Sequence, residues 1–357
     1  MRIVVTGASG NIGTALLRAF AAGDAEHDII GICRRPPDGV PPYDCADWVA
    51  LDLADPGAAE ALAPVLAAAD AVVHLAWGFQ PSRDTDYLER VGVGGTRAVL
   101  QAADTAGVGH LVHMSSLGAY SPGPDDRRVD ESWPTNGITT LAYSRHKVAA
   151  ERLLDAHVGR STHGMAVARI RPGLVLQRDA GSALLRYGVP AFVPAAAVRL
   201  LPFLPLDRRI MTQCVHPDDV ADAIVRVLDR RATGAFNLAA EPPLTREDMA
   251  EALGAAALHV PAAALRTLTS LTWRARLQSL DPGWIDLAFA VPLLDSCRAH
   301  DELGWRPRVD ARDVLAEAVG GMAEAAGTPS PALRPRSVGQ QLARLVRRGP
   351  VGSRKLP

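Results

Sequence analysis

Short apolar runs alternate with longer segments of helical periodicity along the first half of the chain. The run from Ile3 to Val5 leads into a glycine-rich turn, and apolar residues then recur every three or four positions from Ile12 to Phe20, which predicts a strand, a loop and an amphipathic helix. Further strands are predicted at 28–33, 48–51, 71–75, 111–114, 165–170 and 235–239, and further helices at 57–68, 85–106, 141–158 and from 217 onward.

This alternation of strands and helices predicts the fold class. Parallel strands need crossover connections, and right-handed crossovers place helices on both faces of the sheet. We therefore expect an α/β protein with a Rossmann-type, doubly wound parallel sheet over residues 1–173. Residues 174–330 are expected to form a smaller C-terminal substrate-binding part, from which 212–240 return to the core.

The last segment, 331–357, differs in charge from the rest of the chain. It carries seven basic residues and no acidic one, which is typical of a disordered tail. A short amphipathic helix near 338–348 and weak contact with an anionic partner are the alternatives.

Composition excludes several classes of protein. Of 357 residues, 38 are Lys or Arg and 39 are Asp or Glu, and this balance argues against binding to nucleic acid. The apolar stretch 184–206 is interrupted by prolines and arginines, so no membrane span is predicted. The four cysteines lack the spacing of a disulfide framework or a zinc site, and no room for a signal peptide precedes the first strand. A cytoplasmic protein without a metal is expected.

The glycine-rich turn is the first candidate binding site. Gly7, Gly10 and Gly13 leave the loop without side chains where its backbone would approach a pyrophosphate, which then lies at the positive end of the following helix. The spacing differs from G-x-G-x-x-G, but its place between a strand and an amphipathic helix predicts dinucleotide binding.

The end of the second strand indicates which dinucleotide is preferred. A carboxylate there bonds the ribose 2′-hydroxyl of NAD, whereas an arginine accepts the 2′-phosphate of NADP. The strand ends in Cys33, Arg34 and Arg35 without an acid, so we expect NADP, with NAD as the alternative, and binding through Arg34. Surface charge in an arginine-rich chain is the simpler interpretation of the same residues.

Tyr143 and Lys147 are the candidate reacting groups. They stand four positions apart on a predicted helix and so share one face. An ammonium beside a phenol stabilises the phenolate and lowers its pKa toward neutral pH. The sequence has two lysines among its 38 basic residues, Lys147 and Lys355, which sets Lys147 apart from a chance match. Ser115 and Ser116 end a predicted strand at the edge where α/β proteins bind ligands, and either could bond a substrate carbonyl.

These segments together resemble the extended short-chain dehydrogenases, also called the NAD-dependent epimerase/dehydratase family, from residue 1 to about 240. The motifs that carry the resemblance are, in chain order, TGASGNIG, Asp52-Leu53, His74-Leu75-Ala76, MSSLGAY, YSRHK and RPG.

The resemblance implies a role for each matched residue. It implies Ser116 as the serine that orients the carbonyl, Tyr143 as the acid/base and Lys147 as the ribose and pKa partner. It places Asp52 with Leu53 near the adenine and His74 to Ala76 beside the nicotinamide. The cofactor-binding set predicted from the residues and the resemblance together is Gly7, Ser9, Gly10, Asn11, Ile12, Gly13, Arg34, Asp52, Leu53, Leu75, Ala76, Tyr143, Lys147 and Pro172.

The chain departs from the family pattern at two positions. Gly92 stands where many relatives have an asparagine that helps to order the active site, so that role is lost or reassigned. Trp77 follows His-Leu-Ala where a small residue is more common, and it either walls the nicotinamide pocket or packs under the loop 79–84. The other histidines, among them His113, are interpreted as structural.

Three functions are compatible with these residues. The first is reduction of a ketone or oxidation of an alcohol, the second is epimerisation of a nucleotide sugar with NAD, and the third is a non-enzymatic dinucleotide sensor. Dehydration is disfavoured because Leu117 follows Ser116 and no Asp-Glu pair stands there.

Specificity is expected to come from the loops 77–86, 117–140 and 174–213. The third is strongly apolar, which favours a small apolar carbonyl compound, although the same leucines could cover the core or form a homodimer face. A small-molecule substrate is the expected partner.

Overall fold

A parallel sheet of seven strands forms the centre of the protein in this computed structural model, which describes residues 1–78, 83–124, 127–159, 164–188, 194–278, 280–335 and 339. Together with those of four smaller two-stranded pairs, the strands of the described residues are, in chain order, β1 (Arg2–Thr6), β2 (Asp28–Cys33), β3 (Asp47–Ala50), β4 (Ala71–His74), β5 (His110–Met114), β6 (Arg128–Val129), β7 (Ala166–Pro172), β8 (Leu174–Val175), β9 (Phe203–Leu206), β10 (Met211–Thr212), β11 (Cys214–Val215), β12 (Gly234–Leu238), β13 (Leu244–Thr245), β14 (Ala256–His259) and β15 (Leu293–Leu294). The central sheet has the order β12-β7-β5-β4-β1-β2-β3.

Helices cover both faces of this sheet, and further helices belong to the part after residue 173. They are α1 (Asn11–Ala22), α2 (Ala58–Leu66), α3 (Thr85–Glu89), α4 (Gly95–Ala106), α5 (Ala142–Val158), α6 (Gly181–Gly188), α7 (Pro217–Arg230), α8 (Arg246–Leu253), α9 (Ala262–Arg274), α10 (Gly283–Ala290), α11 (Cys297–Leu303) and α12 (Ala311–Ala323). Alternate residues of β1 enter opposite cores: Ile3 and Val5 pack with α1 and α7, and Val4 packs with α2 and α4. The predicted doubly wound parallel sheet is therefore confirmed.

One predicted helix is interrupted. The segment predicted as continuous over 85–106 consists of α3, a π-helical turn at Arg90–Gly94, and α4. The turn contains Gly92 and Gly94, and the low helix propensity of glycine weakens the regular pattern there.

The part after residue 173 is built from short elements. Its two-stranded pairs are β8 with β11, β9 with β14, β10 with β13, and β15 with β6 from the first half. Residues 212–240 supply α7 and the edge strand β12, which pairs in parallel with β7. No helix of the described residues combines the length and the apolar character that a membrane crossing requires.

The first residues of the predicted tail are packed. Leu333 is 3% exposed and joins Ala180 and Ala183 in a small core, so the expectation of a disordered tail from residue 331 is wrong for 331–335. The rest of the tail, including the alternative helix, lies outside the described residues apart from residue 339.

Candidate active site

A cavity of about 380 Å³ lies at the carboxyl ends of β1, β2, β4, β5 and β7. Every residue of the predicted catalytic and cofactor-binding sets lines it. Because the carboxyl ends of parallel strands meet at one edge, motifs far apart in the sequence converge there.

The glycine loop shapes the floor of this cavity. Gly7 has a φ of +72°, and a β-carbon on it would lie 2.7 Å from the backbone nitrogen of Ala76, so the turn after β1 requires glycine. Gly10 caps α1 without a side-chain hydrogen bond, which leaves the first amides of the helix to an anionic ligand. The loop therefore fits a pyrophosphate.

Hydrogen bonds of Asn11 and Gln177 hold the end of the glycine loop, where α1 begins. The Asn11 amide donates to the Val175 carbonyl at 2.9 Å, and the Gln177 amide donates to the Asn11 side-chain oxygen at 2.6 Å. These contacts tie the start of α1 to β8 and fix the backbone that faces the cavity.

Arg34 and Asp52 are joined through a residue that sequence reasoning missed. The Arg34 guanidinium donates to the Tyr87 hydroxyl at 3.0 Å, and that hydroxyl donates to the Asp52 carboxylate at 3.0 Å. Tyr87 lies on α3, whose sequence carries no recognisable motif. A guanidinium at the end of β2 thus reaches the same corner of the cavity as the aspartate predicted to lie near the adenine.

Ser116 and Tyr143 form the polar centre of the site. Ser116 caps the turn after β5, where its hydroxyl accepts a hydrogen bond from the Gly118 amide at 3.0 Å. It also hydrogen-bonds Tyr143. Burial raises the pKa of Tyr143 to about 12, and the bond to Ser116 acts in the opposite direction. The phenol is therefore protonated at neutral pH in this arrangement.

Ser115 has a different role from its neighbour. Its hydroxyl donates to Glu151 at 2.5 Å, and Glu151 also receives two hydrogen bonds from the Arg171 guanidinium, at 2.9 and 2.5 Å. Arg171 donates in addition to the hydroxyl of Tyr120 at 2.9 Å. Of the two adjacent serines, Ser116 is the one beside Tyr143, whereas Ser115 belongs to a buried ion-pair network.

Lys147 is 2% exposed and lies one turn from Tyr143 on α5. Its Nζ donates to the Met114 carbonyl at 2.8 Å and lies 6.0 Å from the centre of the Tyr143 ring. Burial lowers the pKa of Lys147 well below its ordinary value, while the charge of Glu151 acts against that effect. The lowered phenol pKa that was expected from this ammonium is not found, because burial raises the pKa of Tyr143 and the opposing effect comes from Ser116.

His74 is held in one neutral tautomer below the site. The Thr96 hydroxyl donates to the Gly92 carbonyl at 2.7 Å, so its oxygen accepts from Nε2 of His74 at 3.1 Å, and Thr6 donates to Nδ1 at 2.7 Å. Burial, assisted by the charge of Lys147, lowers the pKa of His74 to about 3. His74 therefore supports the strand ends and carries no charge.

Aromatic rings enclose Tyr143 on two sides. The Trp77 ring meets it edge-on with centroids 6.4 Å apart, and the Trp284 ring stacks on it at 5.3 Å. Leu117 and Leu287 line the same cavity. Trp284 and Leu287 lie on α10, beyond the last recognised motif, and no sequence signal pointed to them.

Residues 330–333 form another side of the cavity. Pro331, Ala332 and Leu333 line it, and the Ser330 hydroxyl donates to the carbonyl of Ser9 in the glycine loop at 2.5 Å. The Arg186 guanidinium donates to the carbonyl of Ala332 at 2.6 Å. The segment thus bridges the glycine loop and α6.

Comparison with known proteins identifies the family of the chain. The profile of the NAD dependent epimerase/dehydratase family matches residues 3–239. An uncharacterized protein of Mycobacterium tuberculosis is 28% identical over 318 residues, which are 88% of this chain but 29% of that protein, so the chain spans under a third of this relative's length. L-arabinose 1-dehydrogenase (NAD(P)(+)) of Haloferax volcanii is 32% identical over 190 residues, covering 50% of this chain and 68% of the relative. Sterol demethylase protein B of Methylococcus capsulatus is 31% identical over 228 residues, covering 59% and 67%.

Solved structures show the same fold. The dTDP-glucose 4,6-dehydratase DesIV of Streptomyces venezuelae superposes with a TM-score of 0.67 at 23% identity, over 91% of this chain and 97% of the other. The UDP-glucose 4-epimerase of Thermus thermophilus in complex with NAD gives 0.67 at 23% identity, over 91% and 100%. At such identities the likeness concerns the fold alone.

Proposed function

Because the chain belongs to the NAD-dependent epimerase/dehydratase family, we propose that it is an oxidoreductase that reduces a ketone, or in reverse oxidises an alcohol, on a small apolar substrate. The observation that carries the proposal is the Ser116–Tyr143 hydroxyl pair at the sheet edge, enclosed by aromatic and aliphatic side chains. Such a centre can polarise and protonate a carbonyl oxygen while excluding water.

Each of several residues of the chain has its own role in such a reaction. A bound nicotinamide cofactor supplies the hydride in the reducing direction. Ser116 orients the substrate oxygen, and the Tyr143 hydroxyl gives its proton to that oxygen as the carbonyl becomes an alcohol. Lys147 supplies positive charge one turn away, which stabilises the phenolate that remains. The glycine loop and the first amides of α1 would hold the pyrophosphate.

The side chains around Tyr143 favour an apolar substrate. Trp77, Trp284, Leu117 and Leu287 present rings and branched alkyl groups. The diphosphate of a nucleotide sugar would need cations or amide donors at this wall, whereas a flat apolar skeleton matches it by stacking and burial. The sterol demethylase relative is named for a substrate class of this kind.

A substrate panel with a tyrosine variant tests the proposed function. Apolar cyclic and aromatic ketones should be reduced with saturation, and Tyr143→Phe should lower kcat by about 100-fold or more because the variant loses the proton donor. The matched control is Tyr43→Phe, a buried tyrosine outside the cavity. Efficient epimerisation of a UDP- or dTDP-sugar without any turnover of ketones would overturn the proposal. Unchanged ketone turnover by Tyr143→Phe would show that Tyr143 is not the proton donor, and dinucleotide binding without turnover of any substrate would point to a non-enzymatic sensor.

We further propose that the preferred dinucleotide is NADP. Arg34 stands at the end of β2, where a 2′-phosphate would lie, and Arg35 lines the same cavity. Arg34→Ala should weaken NADPH binding roughly 10-fold to 100-fold, since a charge-assisted bond to phosphate is lost, and should leave NADH binding nearly unchanged. Calorimetric titration of both nucleotides measures this, with the exposed Arg230→Ala as control. Tight NADH binding with negligible NADPH binding by the unaltered protein would contradict the assignment.

A further inference from the structure

The Trp77 indole lies directly against the ammonium of Lys147. Nζ of Lys147 is 3.5 Å from the centre of the indole ring and donates its hydrogen bond to Met114 on the neighbouring strand. A cation at this distance from the face of a tryptophan is attracted by the ring quadrupole, and burial strengthens the attraction. The ring is therefore a direct partner of the charged group.

Gly92 gives the indole its space. It is buried in the π-helical turn, and a β-carbon on it would lie 3.0 Å from both Cζ2 and Cη2 of Trp77, which is tighter than ordinary contact. An asparagine at position 92, as in many relatives, would compete with the indole for the same volume. The two departures from the family pattern, Gly92 and Trp77, therefore form one matched pair.

The other titratable groups around Lys147 do not replace the indole. Glu151 lies one turn further along α5, and its carboxylate is already bonded by Ser115 and Arg171. His74 on β4 and His113 on β5 face Lys147, and burial lowers the pKa of both, so neither carries charge at neutral pH.

The remaining contacts place the indole between reacting and supporting groups. Its edge-on contact with Tyr143 has a counterpart in His113, whose ring centre lies 6.4 Å from that of the indole at an angle of 77°. Displacement of the indole would open a gap beside the ammonium and the phenol together.

We propose that Trp77 is a positioning residue that holds the Lys147 ammonium through a cation–π contact, in the space that Gly92 leaves open. The kinetic part of its test rests on the proposed function, whereas the spectroscopic part does not.

Lysine-selective ¹³C labelling at Cε isolates the contact. The chain has two lysines, so the full-length protein gives two signals, and Lys355→Arg assigns them. The ε-methylene protons of Lys147 should resonate upfield of those of Lys355 because they lie over the indole face. The displacement should persist in Trp77→Phe and disappear in Trp77→Leu. A Lys147 signal without upfield displacement in the unaltered protein, or one that Trp77→Leu leaves in place, would overturn the proposal.

A pH titration of the same signal separates positioning from packing. The ring face favours the charged amine, so its removal in Trp77→Leu should lower the pH at which Lys147 titrates, and Trp77→Phe should restore part of the difference. A purely structural Trp77 would leave the titration midpoint unchanged while lowering the melting temperature.

Kinetics of a matched pair of variants test the shared volume. Gly92→Asn should lower kcat roughly tenfold by displacing the indole, and Trp77→Leu should do so by removing it. In the double variant that combines Gly92→Asn with Trp77→Leu, the loss of kcat should be smaller than the product of the two single losses. The reason is that the asparagine then fits into the space of the missing indole. Fully multiplicative losses would contradict the pairing. Absence of turnover in every variant and in the unaltered protein would count against the proposed function, and the lysine signals would still decide the role of Trp77.

Discussion

Tyr143 shows how far a residue's surroundings modify what its sequence position predicts. The spacing to Lys147 predicted a shared helix face, and the structure has it. The spacing could not predict the degree of burial, which depends on Trp77 from the loop after β4 and Trp284 from α10. Burial by distant segments therefore sets the pKa of the phenol, and no local pattern encodes it.

The pH dependence of the two reaction directions should differ. Because the pKa of Tyr143 is raised to about 12, the protonated phenol dominates below that value. Reduction needs this proton and should keep a constant kcat/KM between about pH 6 and about pH 9, whereas oxidation needs the phenolate and should accelerate as pH rises. Initial rates in both directions across this range measure the difference. An oxidation rate that stays level or falls would show that a lower pKa governs the reaction.

At the scale of elements, the sequence predicted those that repeat a simple pattern. The strands of the central sheet and α5 were predicted within a few residues, because the strands are short apolar runs and α5 is a long helical segment. The break between α3 and α4 was not predicted, although Gly92 and Gly94, which have low helix propensity, stand in the π-helical turn.

The prediction of a disordered tail was wrong for residues 331–335, because their packing depends on distant residues. Their charge and proline content resemble a tail, but Leu333 enters a small core beside α6 that exists only after folding. Ser330 then reaches the glycine loop. Whether such a segment is packed or disordered therefore depends on a groove that distant residues form.

Loosening this segment should speed release of the dinucleotide. Leu333→Ala removes the buried side chain, at a local cost of about 2–5 kcal/mol, without touching the glycine loop. We expect the dissociation rate of the reduced cofactor, measured by stopped-flow displacement, to rise several-fold and the melting temperature to fall by several degrees. Leu268→Ala, at an exposed position of α9, is the control. An unchanged dissociation rate would mean that the segment does not restrain the cofactor.

Across the whole molecule, one buried network links distant parts of the chain. Glu151 on α5 pairs with Arg171 on β7, and Arg171 reaches Tyr120, whose hydroxyl donates to Asn237 on β12 at 2.7 Å. Burial opposes ionisation of Glu151, but hydrogen bonds and charge from Arg171 hold its pKa below the ordinary value. The network connects α5 to β12, the strand that returns from the second half.

Breaking this pair on one side should destabilise the protein more than removing both partners. Arg171→Met leaves a buried carboxylate and should cost about 3–5 kcal/mol of unfolding free energy, whereas Glu151→Met combined with Arg171→Met should cost less. Denaturant titration measures both. Equal losses would show that the ion pair itself, with no penalty for an unpaired charge, carries the stability.

The same pair has a defined effect on acid stability. Since the pKa of Glu151 is lowered on folding, its contribution is present above the ordinary value of about 4.3 and is lost as pH falls through the lowered value. Unfolding free energy should therefore fall more steeply on the acid side in the unaltered protein than in Glu151→Gln.

The burial of Lys147 also determines how the protein reacts with amine-directed reagents. The second lysine, Lys355, lies outside the described residues, and nearly all other cations are arginines that acylating reagents do not modify. Lys147 is shielded by the indole on one side and by the strand carbonyl on the other. The rate of acylation at Lys147, followed by peptide mass spectrometry, would therefore report how often the cavity around this residue opens. The buried amine has to become accessible to the reagent before it can be labelled.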